Sequence, residues 1–139
     1  MAIEFDPYFT FDAEARAAME FYHSVFGGEL TMMTFKEAGA SPAPEFDDLM
    51  MHARLVTDHF SLYASDGAAM NRTEGPVKPN IEGAIMGSAA DAEKATAWFE
   101  GLKDGATKVY DLNQAPWGAT FGSLTDKFGI SWMFNFGDE

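Results

Sequence analysis

The sequence predicts an α+β fold in which one βαβββ module is written twice. Three observations carry this. First, two helical stripes stand 77 positions apart: Ala15, Ala18, Met19, Tyr22 and Val25 fall on Ala92, Ala95, Thr96, Phe99 and Leu102. Their i, i+3, i+4, i+7 spacing marks one face of a helix. Second, both stripes run out at glycine, Gly27-Gly28 and Gly105, the residue that best tolerates the left-handed conformation closing a helix. Third, a strand echo follows each helix: His52-Ala53-Arg54-Leu55 in the first half, Phe121-Gly122-Ser123-Leu124 in the second. The 139 residues suit a single domain, 1–139, in which two small modules share a core. The modules are placed at 1–70 and 79–139, joined by a Gly- and Pro-bearing linker at 66–79.

The elements follow in order. Residues 4–11, EFDPYFTF, read as an aromatic strand ending at Asp12, a suitable N-cap for a helix over 13–26. Residues 29–37, ELTMMTFKE, read as a strand, and 38–48 as a Pro/Ala/Gly loop with no element of its own. Residues 49–57 and 60–65 make a hairpin around Asp58-His59. The second module opens with a strand at 80–87. Ser88 caps the next helix, and Asp91 three positions on completes a capping box. Strands at 107–112, 119–125 and 130–136 close it, with loop 113–118 before the last hairpin.

Composition excludes several classes. Nine basic residues against 22 acidic ones leave a net charge of −13, a field that repels phosphate backbones and anionic bilayers. Neither nucleic acid nor a membrane is an expected partner. No apolar run approaches the roughly 20 residues of a membrane span. The opening MAIEFDPYF lacks the basic and apolar regions of a secretory signal. With no cysteine, thiolate chemistry and disulfides are absent, and a cytoplasmic location is expected.

Several segments resemble the PhnB-like branch of the vicinal oxygen chelate superfamily, the glyoxalase, bleomycin-resistance and extradiol dioxygenase group. They are Pro7-Tyr8-Phe9-Thr10-Phe11, the segment from Ala18 to Leu30 with its Phe21-Tyr22 and Val25-Phe26-Gly27, His52-Ala53-Arg54-Leu55, Ala64-Ser65-Asp66, and the closing run from Trp117 to Met133. The resemblance implies a curled mixed sheet with helices outside and a ligand cup within. It also implies a homodimer and, in many members, four His, Gln or Glu ligands on a divalent metal. Carried over by position, those ligand places fall near Asp6, Tyr63, Gly83 and Met133. Glycine has no side chain, and a thioether is a poor ligand for hard or borderline metals. No metal at that set and no cofactor are therefore expected. Members of this branch are often labelled demethylubiquinone methyltransferases. This chain lacks the alternating βαβ pattern and the Gly-rich strand–helix turn that usually hold such a methyl donor, so methyl transfer is not expected.

His52 is the leading catalytic candidate. Alternation along MMHARLV puts Met50, His52, Arg54 and Val56 on one face and Met51, Ala53 and Leu55 on the other. Ala53 and Leu55 suit packing beneath a helix, which points His52 and Arg54 into the cup. His52 there could act as base, donor or ligand; the competing reading is a structural histidine. Arg54 would favour an anion; the competing reading is a salt bridge in so acidic a chain. Phe35, Tyr63, Phe121, Met133 and Asn135 line the cup by the same logic, with Trp117 at its mouth, while Trp132 has core parity. The leading expectation is a protein that binds a small molecule in the cup without the four-residue metal site. One alternative is a lyase, isomerase or dioxygenase using His52, alone or in a metal site rebuilt with Asp6 or Glu82. Another is a non-catalytic dimeric interaction protein.

Overall fold

A computed structural model describes residues 6–67, 82–116 and 118–137. The chain divides into two compact units, Met1–Val77 and Lys78–Glu139. Most of the expected 66–79 linker lies outside the described residues.

The first unit contains β1 (Tyr8–Thr10), α1 (Ala15–Phe26), β2 (Glu29–Thr34), β3 (Met50–Val56) and β4 (Ser61–Ser65). Its sheet has the order β1-β4-β3-β2, with β1 parallel to β4 and the other pairs antiparallel. The second unit contains β5 (Glu82–Ser88), α2 (Ala92–Leu102), β6 (Thr107–Gln114), β7 (Thr120–Thr125) and β8 (Ser131–Gly137). Its order is β5-β8-β7-β6, with β5 parallel to β8. Both units are therefore βαβββ with the same strand order. The expected α+β architecture is observed, as two separate four-stranded mixed sheets.

In each unit one sheet face is apolar and packs under the helix. Ala53 and Leu55 on β3 and Leu62 and Ala64 on β4 are buried, as are Ala15, Ala18, Met19 and Tyr22 on α1. The α1 stripe closes on buried Phe26, four residues past Tyr22, rather than on half-buried Val25. In the second unit Leu124, Trp132, Phe134 and Phe136 are buried with Ala95, Phe99 and Leu102 of α2. Phe99 meets Phe134 edge-on at 5.3 Å. Trp132 takes the core place its parity predicts.

The helix starts differ from expectation in the first unit. Ala13 has φ +78°, so a helix cannot begin there, and α1 starts at Ala15. The N-cap residue is Glu14 and makes no side-chain capping bond. Instead Asp66, at the end of β4, accepts the Ala15 N–H at 2.8 Å through Oδ1 and the Met50 N–H at 2.9 Å through Oδ2. In the second unit the expected Ser88–Asp91 capping box is present: the Ser88 N–H donates to Asp91 Oδ2 at 3.0 Å. It opens a 3-10 turn, Ala89–Asp91, ahead of α2. The 38–48 loop also holds a 3-10 turn, Pro44–Phe46, because proline's fixed φ suits the first position of such a turn.

One register feature overturns the simple alternation. Met33 pairs with His52, but Thr34 pairs with Met50. The shift leaves Met51 as the extra residue of a β-bulge and turns Met50 onto the core face, where it is 1% exposed.

Candidate functional site

The first sheet's face away from α1 carries the polar groups. Strand register sets them in one row: Tyr8 on β1 lies opposite Tyr63 on β4, Tyr63 opposite Arg54 on β3, and Arg54 opposite Thr31 on β2. His52 stands two residues before Arg54 on the same face. The Tyr8 hydroxyl lies 3.3 Å from His52 Nδ1, and its ring lies parallel to that of Tyr63 with centroids 5.9 Å apart. His52 and Tyr63 centroids are 5.6 Å apart. Arg54 donates through Nε to the Tyr63 hydroxyl at 3.2 Å, with its guanidinium carbon 5.9 Å from the Tyr63 ring centre.

Burial of the Tyr8 phenol pushes its pKa up, and a hydrogen bond with Ser65 opposes the rise. Although 51% of the residue is exposed, its hydroxyl end is partly desolvated by these neighbours and stays protonated near neutral pH. The face thus offers one fixed cation, two phenols and an imidazole. It can bind an oxygenated molecule and donate hydrogen bonds to it.

Of the expected site residues, His52, Arg54 and Tyr63 come together in this cluster. Tyr8 was missed as a site residue. Its signal was alternation in Tyr8-Phe9-Thr10-Phe11, where Phe9 packs edge-on to Tyr22 of α1 and so turns Tyr8 to the open face. Phe35 does not join the cluster. It lies beyond the β2 register shift and is 5% exposed, in the core. Phe121, Met133 and Asn135 lie on the corresponding open face of the second sheet, half-buried, with Phe121 opposite Asn135. Trp117 lies outside the described residues.

The family's metal places can be tested residue by residue. A Cβ on Gly83 would meet Trp132 Cε3 at 3.0 Å, so this position points to the helix-covered face. The residue opposite Met133 is Ala84, as Tyr8 is opposite Tyr63. Asp6 lies before the start of β1, and the paired positions on the open faces hold Tyr8, Tyr63, Ala84 and Met133: two phenols, a methyl and a thioether. That set does not fit a divalent metal of the glyoxalase type. Among the described residues no group of three His, Asp or Glu is placed to hold one. Nor is any described helix long and apolar enough to cross a membrane.

A family model described as 3-demethylubiquinone-9 3-methyltransferase matches residues 4–134. The chain is similar to protein PA1353 from Pseudomonas aeruginosa, at 35% identity over 99% of this chain and 100% of that one, with a TM-score of 0.77. A Bacillus cereus PhnB protein matches at 20% identity over 96% and 99%, with a TM-score of 0.72. A lactoylglutathione lyase from Agrobacterium tumefaciens matches at 18% identity over 98% and 94%, with a TM-score of 0.54. The last two likenesses concern the fold. No curated protein matches the chain.

Proposed function

The chain belongs to the PhnB-like family of the vicinal oxygen chelate superfamily, whose model carries the 3-demethylubiquinone-9 3-methyltransferase description, and from that premise we propose that it binds a small oxygenated molecule without a metal. The ligand face is the open side of the first sheet, with Tyr8, His52, Arg54 and Tyr63 fixing orientation. The observation that carries this is their placement within one or two residues of a single strand row, while the opposite face is closed by apolar packing. A few convergent polar groups on a rigid frame are the usual furniture of a small-molecule site.

Methyl transfer is not carried over from the family's description. Each unit is βαβββ, and no described segment forms the Gly-rich turn between a strand and a helix that commonly cradles a nucleoside cofactor.

A fragment screen by NMR tests the proposal. Fragments bearing oxygen donors or acceptors should shift Tyr8, His52 and Tyr63 resonances, and treatment with EDTA should leave their affinity unchanged. Shifts confined to other surfaces, or binding abolished by EDTA and restored by a divalent ion, would overturn it.

The 3.3 Å approach of Tyr8 to His52 favours a second reading of the same face, in which His52 moves a proton on the bound molecule. His52→Gln would then remove turnover while fragments still shift the Tyr63 resonances.

A further inference from the structure

We propose that Arg54 is an anion receptor, taking the carboxylate or phosphonate group of a small molecule end-on at the outer edge of its guanidinium. The inference rests on the ligand face proposed above and names the chemistry of its occupant.

The first support is the company Arg54 keeps. The chain has 22 acidic and nine basic residues, so a cationic side chain meets a carboxylate easily. Lys103 does so with Asp111 at 2.9 Å, and Lys127 with Asp104 at 3.2 Å. Arg54 makes no ion pair among the described residues; its polar partner there is the neutral Tyr63 hydroxyl. Its row neighbours are two tyrosines, Tyr8 and Tyr63, and Thr31, none of them a carboxylate.

The second support is geometry. A guanidinium has five N–H donors in a planar fork. The Nε–H is spent on Tyr63. The two terminal amino groups keep a matched pair of donors, the arrangement that grips two oxygens of one anion. Contact with the Tyr63 ring limits the side chain's freedom, so less entropy is lost when the anion arrives. The Tyr63 hydroxyl, having accepted from Arg54, can still donate its own proton to the ligand.

The third support is the background field. A net charge of −13 gives the molecule no general attraction for anions. An anion that binds must be held by local donors, and the free end of the Arg54 guanidinium supplies them.

The test compares four probes of similar shape by NMR titration: benzoate, phenylphosphonate, benzamide and benzylamine. Wild type is set beside Arg54→Gln and Arg54→Lys. Arg54 is exposed, so neither change touches the core, and an unchanged amide spectrum confirms the fold. Benzoate or phenylphosphonate should shift β3 and β4 resonances and bind at least about tenfold more tightly than benzamide. Arg54→Gln should remove that preference. Arg54→Lys, which keeps charge without the fork, should fall between, and the tighter anion names the head group. Equal binding of benzamide, or anion binding unaffected in Arg54→Gln, overturns the receptor while leaving the ligand face standing. Failure of all four probes to shift this face overturns both.

Discussion

The two units solve the same folding problem with the same strand order but present different chemistry on the open face. In the first, the row across the sheet reads Tyr8, Tyr63, Arg54, Thr31. In the second, the corresponding row reads Ala84, Met133, Ser123, Tyr110. Phenol stands against methyl, phenol against thioether, and guanidinium against hydroxyl. The helix-covered faces, by contrast, are alike: aliphatic and aromatic side chains under an amphipathic helix. The core face is held by packing, where each lost methylene is felt. The open face is free to vary, and there the duplicated frame has become two different surfaces.

The helix starts differ in the same instructive way. Unit two caps the 3-10 turn that leads into α2 locally, with Ser88 and Asp91 three residues apart. Unit one reaches across 51 residues to Asp66, which ties α1 and the start of β3 together through one carboxylate that is 2% exposed. At the matching position on β8 the second unit has Phe136, a core residue. A distant cap welds elements; a local cap serves its own helix.

The largest effect should come from breaking that weld. Asp66→Ala leaves two backbone N–H groups without their acceptor in a buried place and should cost about 3 kcal/mol in urea denaturation. Ser88→Ala should cost only about 1 kcal/mol. Equal losses would show that the distant cap is no more than a local one. Next comes Gly83→Ala, whose methyl would press on the buried Trp132 ring at 3.0 Å and should cost about 1–2 kcal/mol. Smaller still is a graft of the first row onto the second, Ala84→Tyr with Ser123→Arg. Both lie on the open face, so the melting temperature should move by no more than the equivalent of about 1 kcal/mol. A collapse on grafting would refute the claim that the open face is free to vary.

The smallest effect concerns protonation. Tyr8 has its folded pKa raised above the ordinary 10.0. The folded state therefore holds this proton more tightly than the unfolded state, and the associated stability is complete below pH 10 and lost as pH rises through the folded value. Carbon-13 tyrosine NMR should show one phenol, absent in Tyr8→Phe, ionising above pH 10.

Much of this molecule was legible in its residues. The doubled helical stripe, the strand alternation, the core parity of Trp132 and the Ser88–Asp91 box are periodic or local signals, written within a few positions of where they act. His52, Arg54 and Tyr63 were legible for the same reason, since alternation sends Ala53 and Leu55 inward and its partners outward. What local pattern does not encode is register between strands. Only the tertiary structure set Tyr8 beside Tyr63, placed the bulge at Met51 that sends Met50 to the core, buried Phe35 in the turn after β2, brought Asp66 to the start of α1, and left Arg54 with a phenol rather than a carboxylate among the described residues. Each of these depends on which residues face one another across strands far apart in sequence, a choice made by the packing of the whole sheet.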